Sequence, residues 1–407
     1  SSPTAAKTYR NTFRKMIQLS LPLLKKGYAM EVKKAQMRVV VLGAGLVGKA
    51  MAIDLKDSFS VTSVDINASV LSELKKEYEI ETLEADLSSS AAIAEAVKDA
   101  DIVVGAVPGH MGYEMLKAVI EAGKPIVDIS FFDADPFELD DLAKEHGVTA
   151  IVDCGVAPGM SNLILGYYNQ KMAVESFECY VGGLPVVRSW PYEYKAPFSP
   201  IDVLEEYTRP ARIRENGKDV VKKALSEPEY LELENIGTLE AFNTDGLRTL
   251  LKTMDIPNMK EKTLRYPGHI YLMRVLRDSG FFSQDKLDVG GTSVRPLDVS
   301  SKLLFDKWRL EEGEDEFTVM LVSVEGKEEG EEKRYSYHLF DRNDPGTGFS
   351  SMARTTGFTC TAAVHMLAEG LYTRKGISPP EFVGAEDGCF QYIMKYLEQR
   401  DVHYRLA

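Results

Sequence analysis

Cysteine and histidine are scarce in this chain, and they are scattered. The 407 residues include four cysteines and six histidines, with no CxxC, no HxxxH and no group that combines the two types. Disulfide-rich domains and zinc sites need such residues at close, regular spacing. The sequence therefore predicts neither a disulfide framework nor a bound metal.

Positive charge and long apolar runs are also lacking. The formal net charge is −14 at pH 7, whereas nucleic-acid binding needs a basic surface. No apolar run approaches the roughly 20 residues that span a bilayer. We therefore expect no nucleic-acid partner and no membrane partner, and the composition favours a cytoplasmic enzyme that acts on a small molecule.

The rhythm of apolar segments predicts two domains and an extension. Residues 1–36 are interpreted as an extension outside the fold, with a targeting segment as the alternative. Residues 37–160 alternate apolar strands with short helices, which is typical of an α/β fold with a Rossmann-type, doubly wound parallel sheet. Residues 161–345 lose this alternation and predict an inserted α+β domain with a mixed sheet, for substrate binding and oligomer contacts. Residues 346–390 are expected to return and complete the first domain.

The strongest motif is a GxGxxG formed by Gly43, Gly45 and Gly48, with Leu46 and Val47 at its variable positions. It lies between a buried strand and a helix, where glycines permit a tight turn and bring the backbone close to a pyrophosphate. The free N–H groups at the start of the helix then bind the phosphates. This context predicts a dinucleotide site.

An acidic residue follows at the expected distance. Asp65 ends the second predicted strand, and Ile66 and Asn67 come next, without an arginine. A carboxylate at this position accepts hydrogen bonds from the adenosine ribose and repels the 2′-phosphate of NADP. The sequence therefore predicts NAD as the cofactor, with NADP less suited.

Two more loops follow carboxyl ends of predicted strands, where open α/β sheets bind ligands. The first contains Asp86 and Leu87, and the second contains Ala106, Val107 and Pro108. These residues are predicted cofactor contacts, although plain turn chemistry explains them equally well.

The segment from Asp153 to Asn162 follows the last strand of the predicted sheet and lies at the cleft between the domains. Its glycines and proline indicate a sharply shaped backbone, which suits either substrate binding or an interdomain hinge. Cys154 and Asn162 are the predicted substrate contacts. The Cys154 thiol is expected to line the cleft as a small apolar group and not as a nucleophile.

The second domain supplies further polar candidates. Arg248 is predicted to clamp a substrate carboxylate, Asp245 to hold an ammonium, and Thr244 to add a hydrogen bond. Asp128 and His269 are the candidate general bases. Solvated surface charge is the alternative for Arg248 and Asp245, and a structural role is the alternative for His269.

Several segments together resemble the saccharopine dehydrogenase-like family, and most closely its L-lysine 6-dehydrogenase branch. The segments are VVVLGAGLVGKA, VDINAS, GAVPGHMG, DISFF, DCGVAPGMSN, EYTRPARI, LEAFNTDGLRTLL, RYPGH and SSMARTTGFT. The resemblance runs from Met37 to about residue 390. It implies a Rossmann domain with an inserted catalytic domain, a homo-oligomer, and oxidation of an amino acid with NAD or NADP.

The resemblance also yields a leading hypothesis and two rivals. Saccharopine reductases typically carry Asp-Pro-Gly where this chain has Val156-Ala157-Pro158-Gly159, which favours a smaller substrate. We expect NAD-dependent oxidative deamination of L-lysine at carbon 6. The alternatives are a saccharopine dehydrogenase or a related amine-semialdehyde reductase, and a non-catalytic NAD-binding protein.

Overall fold

The computed structural model describes Lys34, residues 36–311 and residues 313–407, so the predicted extension lies almost entirely outside the described residues. The described strands are β1 (Arg38–Leu42), β2 (Ser60–Asp65), β3 (Glu81–Glu84), β4 (Ile102–Gly105), β5 (Ile126–Asp128), β6 (Thr149–Ile151), β7 (Ala173–Pro185), β8 (Ala211–Glu215), β9 (Lys218–Lys222), β10 (Glu229–Leu233), β11 (Gly237–Asn243), β12 (Asn258–Arg265), β13 (Leu287–Val289), β14 (Thr292–Val294), β15 (Glu316–Glu328), β16 (Glu331–Arg342), β17 (Gly376–Ser378) and β18 (Tyr404–Leu406).

The helices interleave with these strands. The described α-helices are α1 (Leu46–Leu55), α2 (Ala68–Tyr78), α3 (Ser90–Val97), α4 (Gly109–Glu121), α5 (Asp140–Glu145), α6 (Met160–Asn169), α7 (Pro200–Thr208), α8 (Leu250–Thr253), α9 (His269–Asp278), α10 (Pro296–Trp308), α11 (Ser351–Ala368), α12 (Pro380–Ala385) and α13 (Cys389–Glu398). A 3₁₀ helix, Pro136–Leu139, precedes α5. Among the described residues, no helix is both long and apolar enough to cross a bilayer.

The first sheet is parallel, with the strand order β17-β6-β5-β4-β1-β2-β3. Consecutive residues of β1 enter two separate cores: Val39 and Val41 pack on one face of the sheet, and Val40 and Leu42 on the other. This two-sided burial explains the continuous apolar run and confirms the predicted doubly wound fold. The strand order reverses between β1 and β4, and this creates a crevice at the carboxyl ends of the strands.

The second sheet is mixed, as predicted. Its main order is β10-β11-β12-β7-β15-β16-β18, in which β12 and β7 are parallel, and β8 pairs with β12 and β9. Strands β15 and β16 form an antiparallel hairpin that continues through a run of charged residues to a turn at 329–330. Oppositely charged residues face each other there, since Lys327 lies opposite Glu332.

The carboxyl-terminal segment returns to the first sheet. Strand β17 pairs with β6, and α11 packs against α1. Helices α6 and α12 also meet closely, because a Cβ atom at Gly166 or Gly384 would overlap the backbone of the other helix. One hydrophobic core therefore continues from the parallel sheet to the mixed sheet.

Candidate active site

Of the three glycines in the glycine-rich loop, one faces open space and two are packed against the backbone. Gly43 has a φ of 106°, and an added Cβ would overlap the carbonyl oxygen of Ala106. A Cβ at Gly48 would overlap the carbonyl oxygen of Gly43, so this glycine allows α1 to pack on β1. A Cβ at Gly45 would meet no atom within 4 Å. The backbone at Gly45 is thus open to a pyrophosphate, as the fingerprint requires.

Asp65 lies next to this loop. One carboxylate oxygen accepts a hydrogen bond from the Ala44 amide at 2.6 Å, and the other accepts one from the Asn67 amide at 2.8 Å. Each oxygen keeps a lone pair for a further donor. The carboxylate is therefore held in place and can accept ribose hydroxyls.

One cavity of about 720 Å³ connects this loop with the second domain. Every predicted cofactor residue lies on the wall of this cavity, and contact of these residues with a cofactor stays a prediction. The residues are Gly43, Gly45, Leu46, Val47, Gly48, Asp65, Ile66, Asp86, Leu87, Ala106, Val107 and Pro108. Together with the open backbone at Gly45, this wall fits a nicotinamide dinucleotide.

The rest of the cavity is rich in acids. Outside the nucleotide-binding loops, its wall contains six carboxylic side chains and two arginines: Asp153, Asp202, Glu205, Glu206, Asp245, Glu261, Arg209 and Arg265. Both arginines have acidic partners. Arg265 binds Glu206 at 2.6 Å, and Arg209 binds Glu205. Acidic side chains thus outnumber arginines on the substrate part of the wall.

Thr244 and Asp245 are the two predicted substrate contacts that line this cavity. The Thr244 hydroxyl lies 3.0 Å from that of Thr263. Asp245 accepts hydrogen bonds from Arg212 at 2.9 and 2.7 Å, and a third from the Arg212 amide at 3.0 Å. Asp245 therefore already has a cationic partner, which sequence analysis did not identify.

Arg248 does not line the cavity. Its guanidinium is buried, donates a hydrogen bond to Asp153 at 2.9 Å and lies over the ring of Phe131 at 4.6 Å. Burial without a counter-ion is costly for a guanidinium, so the folded chain supplies one. Arg248 thus holds Asp153, which faces the cavity, and a contact of Arg248 itself with a substrate carboxylate stays a prediction.

His269 does not reach the cavity either. Its two ring nitrogens lie 2.9 Å from the carbonyl oxygen of Tyr192 and 2.9 Å from the hydroxyl of Tyr207. Burial and the nearby Arg265 lower the pKa of His269 to about 3. The side chain is held on both sides by protein groups, which corresponds to the structural alternative.

Asp128 is buried behind the cavity wall. One of its oxygens accepts hydrogen bonds from the amide of Ser130 at 3.1 Å and from its hydroxyl at 2.8 Å, and the other oxygen has no partner among the described residues. Burial raises the pKa of Asp128 to about 7, despite these hydrogen bonds. Ser130 lines the cavity and Asp128 does not.

Cys154 and Asn162 also lie away from the cavity wall. The Cys154 sulfur is 3.9 Å from the carbonyl oxygen of Thr359, and burial raises the pKa of its thiol. The Asn162 amide donates to Glu381 at 3.2 Å. Both side chains pack between elements of the fold and do not line the cavity, so their contact with a substrate stays a prediction.

Sequence reasoning missed four of the acids that line the substrate part, namely Asp202, Glu205, Glu206 and Glu261. Asp202, Glu205 and Glu206 lie on α7, where positions i, i+3 and i+4 share one face of a helix. That spacing is the only signal that could have grouped them. Glu261 lies between two lysines in β12, and this pattern is typical of a solvated surface strand.

Two family models together match most of the chain. The saccharopine dehydrogenase NADP binding domain matches residues 39–151, and the saccharopine dehydrogenase C-terminal domain matches residues 155–402. The chain belongs to the saccharopine dehydrogenase family. This result confirms the family resemblance and makes the protein a member of a family of NAD(P)-binding oxidoreductases.

Other family members share the architecture at low sequence identity. The chain is 23% identical over 424 residues to saccharopine dehydrogenase [NADP(+), L-glutamate-forming] of Pyricularia oryzae, covering 85% of this chain and 94% of that protein. It is 27% identical over 234 residues to alpha-aminoadipic semialdehyde synthase of Arabidopsis thaliana, covering 53% of this chain but only 22% of that protein. The apo saccharopine dehydrogenase (L-Glu forming) of Saccharomyces cerevisiae has the same fold, with a TM-score of 0.73, 18% identity, and coverage of 91% of this chain and 99% of that structure.

Proposed function

We propose that this family member oxidises L-lysine at carbon 6 with NAD, forming 2-aminoadipate 6-semialdehyde and ammonia. The observation that carries this proposal is one continuous cavity that runs from the glycine-rich loop to an acid-rich wall. Lysine presents two ammonium groups and one carboxylate. Carboxylates in a partly buried site attract cations strongly, so this wall suits a cationic amine.

The first domain would hold the cofactor through the loop around Gly45 and through Asp65. NAD is the better match, because a 2′-phosphate would approach the Asp65 carboxylate and the cavity places its two arginines beside Glu205 and Glu206. The family model and the Pyricularia oryzae relative are named for NADP. The preference for NAD is therefore a proposal about this chain alone.

The proposed reaction requires a neutral amine, since an ammonium has no lone pair to support the developing iminium. A group of the protein must accept the proton. Bound NAD would accept the hydride of carbon 6 at its nicotinamide ring. Water then adds to the iminium carbon, and ammonia leaves. The cavity wall contributes by orienting the amine and by balancing its charge.

Saccharopine oxidation is the second candidate, because relatives that span the same length carry that name. Saccharopine has three carboxylates, which need cationic partners. Arg209 and Arg265 are the cations of the cavity wall, and both are paired with glutamates. This charge balance favours lysine.

Assembly into a homo-oligomer, which the family resemblance implies, stays a prediction.

An activity screen distinguishes these functions. The purified protein is mixed with NAD and, in separate reactions, with L-lysine, saccharopine or a related diamine, and NADH absorbance is recorded. We expect NADH absorbance to rise with L-lysine and not with saccharopine or the related diamine. NADH with saccharopine only would replace the proposed substrate by the second candidate. Calorimetric binding of NAD without turnover of any substrate would favour a non-catalytic protein.

A further inference from the structure

Glu261 is placed on the cavity side of β12 by the alternation of the strand. Thr263 and Arg265, two and four residues further along, also line the cavity. The neighbouring lysines project to the opposite face, where Lys260 binds Glu178 at 3.0 Å and Lys262 binds Glu229 at 2.7 Å. The two lysines make Glu261 look like a surface residue in the sequence, but neither of them forms an ion pair with it.

The Glu261 carboxylate is buried but unpaired. The residue is 5% exposed, and none of the described residues forms a hydrogen bond or ion pair with its carboxylate. A Cβ at Gly246 would overlap both carboxylate oxygens, so this glycine leaves the space that they occupy. Buried acids are nearly always paired, and an unpaired one in a cavity wall is typical of a functional group.

The surroundings of Glu261 favour its protonated form near neutral pH. Burial raises the pKa of Glu261 to about 8, and the nearby Glu206, Asp245 and Asp153 add to this effect more than Arg248 offsets it. A carboxyl group with such a pKa exchanges protons readily near physiological pH. The charged and titratable groups around it are Glu206, Asp245, Asp153, Arg248, Cys179 and Arg265.

We propose that Glu261 accepts the proton of the substrate ammonium before hydride transfer. This assignment rests on the function proposed above. An N–H bond of the ammonium breaks and an O–H bond forms on Glu261. The amine lone pair then forms the C=N bond while carbon 6 loses its hydride to NAD, so the amine is oxidised and NAD is reduced.

Glu261 satisfies the geometric requirement that the other candidates lack. A general base must come within hydrogen-bond distance of the proton that it removes. Asp128 lies behind Ser130, and His269 is held between Tyr192 and Tyr207, so neither side chain lines the cavity. Glu261 faces the cavity directly, beside the carboxylates that would attract an ammonium group.

The test compares Glu261→Gln with wild type and with Glu178→Gln, which changes a carboxylate on the far side of the same sheet. Steady-state rates with L-lysine and NAD are measured between pH 6 and 10. We expect Glu261→Gln to lower kcat/KM about 100-fold or more and to abolish a rise in kcat/KM centred near pH 8. NAD affinity by calorimetry should change less than about twofold. The Glu178→Gln control should follow the wild-type profile.

Gly246→Ala provides a second variant with an intact carboxyl group. Its methyl group would displace the Glu261 side chain, so we expect a reduced kcat and a shifted pH profile in a folded protein. Thermal unfolding above pH 8 should show Glu261→Gln to be at least as stable as wild type, because the variant removes a buried carboxylate that is charged there and has no counter-ion among the described residues.

The possible outcomes separate the two proposals. If the wild type is active with L-lysine and Glu261→Gln has a similar rate and pH profile, the role of Glu261 is overturned. The proposed function is then left intact. NADH with saccharopine only would overturn the proposed function, and the same variants would then test Glu261 on that amine. No turnover of any substrate would overturn both.

Discussion

At the residue scale, Asp65 is positioned by two backbone hydrogen bonds while its oxygens keep free lone pairs. We expect Asp65→Ser to lower the ratio of kcat/KM for NAD to that for NADP by about tenfold or more. The reason is that hydrogen bonds to a charged group contribute about 1.5–3 kcal/mol, and the repulsion of a 2′-phosphate disappears at the same time. Initial rates with each cofactor measure this ratio.

Asp101→Ser is the matched control for Asp65→Ser. Asp101 also accepts a backbone hydrogen bond, from the Arg38 amide at 2.7 Å, but it does not line the cavity. Its replacement should leave the cofactor ratio unchanged. An equal ratio in both variants would contradict the role of Asp65 at the ribose.

Side-chain chemistry was a poor guide to which polar residues face the substrate. Arg248 and His269 have suitable groups, yet both are held by protein partners in the interior. Glu261 looks like a surface residue in the sequence, yet it faces the cavity. Hydrogen-bond partners lie far away along the chain, so their effect on a polar residue becomes visible only after folding.

At the element scale, two glycines at the junction of β1 and α1 have different roles. Gly45 leaves space for a ligand, and Gly48 allows the helix to pack on the strand. Gly45 is in the extended region, with a φ of −66° and open space beside it, so Gly45→Ala should fold normally. Its methyl group would enter the space for the pyrophosphate and lower NAD affinity by about tenfold or more. Calorimetry with NAD and thermal unfolding provide the two measurements.

Gly48→Ala should behave differently. Its Cβ would overlap the carbonyl oxygen of Gly43 and push α1 away from β1. We expect a loss of about 1–3 kcal/mol in the free energy of unfolding, which is typical of overpacking. Two variants with the same stability and the same NAD affinity would argue against this division of roles.

Elements with strong local signals were predicted well, whereas strand β17 was not. The apolar run of β1 and the glycines after it identify the first strand and helix without any distant contact. Strand β17 has only three residues and no distinctive pattern. It is a strand because β6 offers an unpaired parallel edge, and this edge is contributed by a segment more than 200 residues earlier.

At the scale of the whole molecule, the two sheets share one hydrophobic core. Val104 and Phe358 from the first domain pack in the same cluster as Phe177 and Val322 from the second. We therefore expect cooperative unfolding in a single transition. Far-UV circular dichroism reports both domains, while tryptophan fluorescence reports the buried Trp308 of the second domain, so the two denaturant curves should coincide.

Trp190 serves as the control for this measurement, because it is 87% exposed, in contrast to Trp308. Trp190→Phe should leave the fluorescence midpoint unchanged. A fluorescence transition that is clearly separated from the circular dichroism transition would show that the domains unfold independently.

The sequence by itself determined the nucleotide-binding half of the site, because the glycine-rich loop, the acid after β2 and the loops after β3 and β4 are all local features of strand ends. Apart from Thr244 and Asp245, the wall of the substrate half was decided by the tertiary structure. In that wall, β12 and the loop after β11 are brought together by pairing within the mixed sheet, and α7 packs against this sheet through a shared hydrophobic cluster. Long-range pairing fixes which face of each element meets the cavity, and no short segment of sequence carries that information.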